Sequence, residues 1–256
     1  MKDSVKKVLG EFFGSAFISF WGLGFIVPFA VTGGVSNMFE FALWFGLGFA
    51  ITVIAFAPSG GAHVNPGVTL AWAIFGGFEK KLILPYIVAQ ILGWGLGIVP
   101  VYAIYWNQME QWAASTGGNP ATLFFCHSPA DHILAGAGLE IAMTALLIFA
   151  IFLLLDERVP NRPNKMFFPV AIGGVVSLLV AYGGSYSGTA INTARDLAPR
   201  LVGYVYGLLS GHDVSGIFTD GQWIMYIVAP IAGALIGGLV YHKIFAKLLP
   251  KEKVEV

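Results

Sequence analysis

Charge is what this sequence has least of. Of its 256 residues, 14 are Lys or Arg and 14 are Asp or Glu, so charged residues make up 11% of the chain and the formal net charge is zero. A soluble domain carries about 25% charged residues. A chain that is 57% hydrophobic, with a mean hydropathy of +0.76, lacks the polar surface to stay in water. No basic or acidic block points to nucleic acid or to an acidic partner. The single cysteine, Cys126, excludes an internal disulfide and a cysteine-based metal cluster, and reads as an inert loop thiol. No Ser-His-Asp set, HExxH motif or paired catalytic carboxylates fall in the apolar stretches, so an enzyme is not expected and no cofactor or metal is implied.

What is abundant is apolar sequence in membrane-length runs. These fall at roughly Val8–Ala30, Phe39–Phe56, Leu82–Trp106, Ile133–Leu155, Phe167–Tyr182 and Gln222–Leu248, each near the ~20 residues that a crossing helix needs. The first is too long for a signal-peptide core and is expected to be retained. Glycines recur inside the runs, among them Gly22, Gly24, Gly93, Gly97, Gly233 and Gly237, as close helix packing in lipid requires.

Between the second and third runs lies SGGAHVNPGVTLA, Ser59 to Ala71. Asn65 can cap a helix and Pro66 suits its first position, where the missing N–H would be orphaned anyway. The apolar residues that follow suffice for only about two to three turns. Sliding the chain by 127 positions sets this stretch on Tyr186–Ala198, so that Gly61 meets Gly188, Asn65 meets Asn192 and Leu70 meets Leu197. Two such helix starts in register, each after two apolar runs, indicate a duplication of three spans plus a half-helix. An odd-numbered unit repeated in one chain must be inverted. The fold expected is therefore an all-α membrane protein of six transmembrane helices plus two half-helices. It forms one domain over residues 1–256, with repeats at 8–106 and 132–248.

Charge placement supports this topology. Twelve of the fourteen basic residues lie in the termini or in alternate loops, at Lys2, Lys6, Lys7, Lys80, Lys81, Arg158, Arg162, Lys165, Lys243, Lys247, Lys251 and Lys253. The positive-inside rule makes that face, with both termini, cytoplasmic in a multi-pass plasma (inner) membrane protein. Trp21, Trp44, Trp106, Trp112 and Trp223 suit interfacial anchors. Arg195 and Arg200 stand apart in the second half-helix.

GAHVNPG and INTARDLAPR resemble the paired Asn-Pro-Ala signatures of the major intrinsic proteins, the aquaporins and glycerol facilitators. EFFGSAFISFWG and GLEIAMTALLIF resemble their repeat-opening helices, and the likeness runs from Glu11 to about Lys247. The resemblance implies a passive channel for water and small uncharged solutes, glycerol and other polyols above all, assembled as a homotetramer with a pore in each protomer. Alternatives within the fold are a mainly water-selective pore, or one for ammonia, hydrogen peroxide or lactic acid. A secondary carrier is a weaker reading, because no carboxylate sits beside the helix breaks to couple an ion. The literal triplet Asn119-Pro120-Ala121 has no apolar half-helix after it and reads as a turn.

Individual roles follow. The pore midpoint comprises Asn65, Pro66 and Gly67 with Asn192, Thr193 and Ala194. Each asparagine is expected to cap its helix with the side-chain oxygen and to turn its NH2 into the lumen. Thr193 replaces the family's proline, and Gly67 replaces its alanine, which is expected to free room beside the constriction. Arg195, about one turn after Asn192, is expensive in a membrane and is a functional candidate. By resemblance it is the filter arginine, with Phe45, Val180 and Thr189 as its partners. His63 is expected in the vestibule with its carbonyl exposed. Glu11 and Glu140, at matching places in the repeats, are expected to brace the half-helix loops; a proton relay is the rival role. Asp196 and Arg200, four apart, suit a structural ion pair. With Pro230-Ile231 they resemble the set found in aquaglyceroporins.

Overall fold

A backbone in hydrocarbon must satisfy its own hydrogen bonds, which leaves the helix as the spanning element for apolar runs of this kind. The computed structural model describes residues 1–129, 132–219 and 221–250, so Lys251 and Lys253 lie outside the described residues. Every regular element among those residues is helical. Six helical spans are long and apolar enough to cross a membrane: Asp3–Ala30, Met38–Gly60, Lys80–Thr116, Ile133–Leu155, Phe168–Ser187 and Gln222–Lys247. The first consists of α1 (Asp3–Ile18), a π-helical turn over Ser19–Leu23, and α2 (Ile26–Ala30). The other spans are built on α3 (Met38–Gly60), α5 (Ile83–Thr116), α6 (Ile133–Leu155), α7 (Phe168–Ser187) and α9 (Gln222–Lys243).

The two short helices are α4 (Pro66–Phe75), of 10 residues, and α8 (Thr193–Ser210), of 18. The expected length holds for α4 but not for α8, which runs about five turns because its helix-forming sequence continues to the left-handed cap at Gly211. The third crossing also outruns its apolar core: α5 continues past Trp106 to Thr116, with a kink at Tyr105, and so takes Glu110 into the helix.

Packing repeats as the sequence does. A Cβ at Gly93 or Gly97 in α5 would collide with the Phe12 and Ala16 carbonyl oxygens of α1. A Cβ at Gly233 or Gly237 in α9 would collide with the Ile141 and Ala145 carbonyl oxygens of α6. Phe12 and Ala16 stand to Ile141 and Ala145 as Glu11 stands to Glu140, at one constant offset. Between the repeats, Gly46 of α3 and Gly173 of α7 approach each other's carbonyl oxygens. Bare backbone at these crossings lets helices meet closely where no hydrophobic force distinguishes protein from lipid. Both α3 and α7 end in a left-handed glycine, Gly61 (φ 95°) and Gly188 (φ 74°), that turns the chain back into the bundle.

One face carries the charged ties. Lys7 Nζ donates to Glu79 Oε1 at 2.9 Å; Arg158 donates to both Asp156 oxygens, at 3.0 and 2.7 Å, and to the Ala246 carbonyl. Hydrogen bonding from Arg158 holds the Asp156 carboxyl below the usual carboxylate range. On the opposite face, Asn119 caps a single 3-10 turn, Pro120–Thr122, with no half-helix behind it. The loop is more than a turn, however: Ala121, Phe124, Phe125 and Cys126 are all buried.

Gly237→Val is therefore expected to lower thermal stability in detergent by about 1–3 kcal/mol through overpacking. Gly174→Ala, whose Cβ meets nothing within 4 Å, should leave it unchanged or raise it by up to about 1 kcal/mol. Equal effects of the two, measured by thermal unfolding, would contradict the close crossing.

Candidate functional site

The site is built on two loops that lead into α4 and α8. Among the described residues, four that are not glycine have left-handed backbone: Ala62 (φ 51°), Val64 (φ 44°), Thr189 (φ 47°) and Ile191 (φ 40°), a pair in each loop at the same places of the repeat. Such conformations are costly and persist only where the surroundings fix them. Here the buried carboxyl groups do so. Glu11 accepts from the His63 N–H at 2.8 Å and the Val64 N–H at 2.7 Å, and from Gln90 Nε2 at 2.7 Å. Glu140 accepts from the Ala190 N–H at 3.0 Å, the Ile191 N–H at 2.7 Å and Ser187 Oγ at 2.6 Å. In a trans peptide the carbonyl points opposite to the N–H. The carbonyls of Ala62, His63, Thr189 and Ala190 therefore turn toward the cavity that these residues line.

That cavity has a volume of about 730 Å³. It runs from Lys165, Met166 and Phe78 on the face of the charged ties, past His63, to Asn65 and Asn192. Its lining ends at Phe45, Val180, Thr189 and Arg195. Each asparagine does two things. Asn65 Oδ1 accepts from the Gly67 N–H at 2.8 Å, while its Nδ2 donates across the bundle to the Ile191 carbonyl at 2.8 Å. Asn192 Oδ1 accepts from the N–H groups of Ala194 (3.0 Å) and Arg195 (3.3 Å), and its Nδ2 donates to the Val64 carbonyl at 2.8 Å. The expectation of a whole NH2 in the lumen needs correction. One hydrogen of each amide ties the two halves together, which leaves one for a solute.

Pro66, Gly67, Thr193 and Ala194 are buried but do not line the cavity. Pro66 starts α4. Thr193 starts α8, and its hydroxyl donates to the Ile227 carbonyl of α9 at 3.2 Å. Nor does Gly67 free room beside the lumen: a Cβ there would sit 3.1 Å from the Ala234 Cβ and 3.4 Å from the Pro230 carbonyl oxygen, against α9.

Arg195 is 5% exposed. Its Nη1 donates to the Phe124 carbonyl at 2.8 Å, and its Nε has no acceptor among the described residues. The buried loop on that face thus holds the guanidinium. Asp196 and Arg200 pair at 2.7 Å, as their spacing predicts, and both grip the same loop. Asp196 Oδ1 accepts from the Cys126 N–H at 2.8 Å; Arg200 donates to the Cys126 and Ile217 carbonyls at 2.8 and 2.9 Å. The His63 ring lines the cavity, meets Thr69 Oγ1 through Nδ1 at 3.1 Å and stacks on Trp72.

Sequence reading missed four partners. Trp94 Nε1 donates to the Val64 carbonyl at 2.9 Å, and Gln90 links Glu11 to Thr69. In the second repeat Tyr226 donates to the Ser187 carbonyl at 2.6 Å, and the Phe124 carbonyl holds Arg195. A glutamine inside an apolar run was the one available signal; the others differ in nothing from packing residues.

An inverted-repeat bundle, with a carbonyl-lined cavity at the junction of two capped re-entrant helices, defines a helical membrane channel. The family model described as "Major intrinsic protein" matches residues 1–241, and the chain belongs to that family. It is 32% identical to the glycerol uptake facilitator protein of Haemophilus influenzae, over 98% of both chains. The Escherichia coli K12 protein of the same description is 31% identical, covering 95% of this chain and 89% of its own. The propanediol uptake facilitator PduF of Salmonella typhimurium is also 31% identical, over the whole of both. The X-ray structure of the aquaglyceroporin from Plasmodium falciparum superposes with a TM-score of 0.85 at 23% identity, covering 96% of this chain and 98% of that one.

Breaking the buried pair with Asp196→Ala leaves Arg200 uncompensated, and is expected to cost about 3–5 kcal/mol of stability. Asp196→Leu with Arg200→Met should recover much of that. A single variant as stable as the wild type in detergent would contradict the bracing role.

Proposed function

We propose that this protein is a passive pore for water and small uncharged polyols, glycerol foremost, that excludes protons and ions. The observation that carries this reading is the meeting of two helix N-termini across one cavity, each capped by an asparagine with a hydrogen to spare. The N-terminal ends of α4 and α8 carry partial positive charge, about half an elementary charge each. A hydroxyl passing between them must present its oxygen to the two amides. It then turns its own hydrogens toward the carbonyl ladders of the loops. Molecules oriented oppositely on either side of the midpoint cannot pass a proton along the file, and the positive field repels cations.

Phe45, Val180, Thr189 and Arg195 form the filter of this proposal, combining an aromatic ring, an aliphatic side chain, a hydroxyl and a guanidinium. The spare donors of Arg195 take the solute's oxygens, while its carbon edge rests on Phe45 and Val180. Glycerol has both faces, in keeping with relatives described as glycerol and propanediol uptake facilitators. The same reading makes the protein a channel and not an enzyme. It lies in the inner membrane with the lysine-rich face and both termini cytoplasmic, four copies to an assembly.

Purified protein in liposomes is expected to speed both osmotic shrinkage and glycerol-driven reswelling; liposomes no faster than empty ones would contradict the proposal. Val180→Gly should raise glycerol flux relative to water, by up to about tenfold, as methyl-sized changes in an apolar site allow. Arg195→Ala should admit charged or bulkier solutes, read in the same stopped-flow assay.

A further inference from the structure

We infer that Gly22, on the π-helical turn of the first span, sets the width of the proposed filter by holding the Phe45 ring back from the lumen. The inference rests on the filter reading above. A Cβ at Gly22 would lie 2.9 Å from Cε2 and 3.2 Å from Cδ2 of Phe45, and 3.3 Å from Cδ1 of Ile18. Carbon atoms settle at about 3.5–4.0 Å, so the ring would have to move by roughly 0.7 Å. Ile18 closes the near side, and Phe41 flanks the ring at 6.1 Å between centroids. The direction left open is the cavity that Phe45 lines.

The two repeats differ at this point. α6 runs unbroken from Ile133 to Leu155. The matching span of the first repeat is interrupted between Ile18 and Ile26. There the chain makes the π turn over Ser19–Leu23, which adds a residue to the helix and brings Gly22 under the Phe45 ring. π turns of this kind recur at functional sites. The duplicated architecture is thus broken on the side where the filter lies. α3 supplies the wall, and the π turn supplies the bare backbone behind it.

Gly22→Ala, Phe45→Leu and the double variant, reconstituted in proteoliposomes, test this by stopped-flow water and glycerol permeability. Gly22→Ala is expected to depress glycerol flux about fivefold more than water flux, because a narrower pore penalises the larger solute. Phe45→Leu should raise the glycerol-to-water ratio. Adding it to Gly22→Ala should bring that ratio back to the wild-type value or above. An unshifted ratio in Gly22→Ala beside a shifted one in Phe45→Leu overturns the role of Gly22 alone. So does a loss of both fluxes that Phe45→Leu does not reverse. A wild-type ratio in Phe45→Leu overturns the filter assignment, and this inference with it.

Discussion

Non-helical backbone in the middle of a membrane sets the terms that every other part of this fold has to meet. Every N–H left without a helical partner must find an acceptor inside the protein. Glu11 and Glu140 answer that need, each gathering two consecutive loop N–H groups on the side away from the cavity. Their position decides the other half of each peptide. With the donors fixed outward, carbonyls face the lumen, and a chain that elsewhere is hydrocarbon acquires a polar track. The left-handed residues at 62, 64, 189 and 191 are what this alignment requires of the backbone. The glutamates therefore act as braces whose effect on solutes passes through the backbone.

The asparagines close the design. Each caps one helix and reaches across to the loop of the other, so that Val64 and Ile191 trade their carbonyls between the repeats. The halves are locked where α4 and α8 begin, and the Gly46–Gly173 crossing brings their flanking helices together. Arg195 is fixed differently. Its carbonyl partner at Phe124 belongs to a loop pinned by Asp196, Arg200 and, through Ser128, by Gln222. The guanidinium owes its place to that loop, and the midpoint owes its place to the repeat.

Much of this was legible in the sequence, because the features concerned are local or periodic. Apolar runs gave the spans, the 127-residue offset gave the inverted repeat, and Asn65 and Asn192 announced helix starts. The Asp196–Arg200 pair follows from i,i+4 spacing on one helix. What escaped depends on long-range contact. Gly67 and Gly22 look alike as letters, yet one faces α9 and the other faces the Phe45 ring. The cross-tie of each asparagine amide joins residues more than a hundred positions apart, beyond any local signal. The length of α8 was misjudged because charged Arg195, Asp196 and Arg200 interrupt the apolar run without interrupting the helix; buried pairing with a distant loop makes them compatible with it.

On the proposed reading, the meeting of two capped helix ends passes hydroxyl-bearing solutes while it breaks the proton path. Glycerol flux and proton flux, followed in the same proteoliposomes by light scattering and by an enclosed pH-sensitive dye, test it most directly. Fast glycerol entry is expected, with a proton leak no greater than that of protein-free vesicles. A proton conductance that rises in step with the glycerol flux as more protein is reconstituted would contradict it.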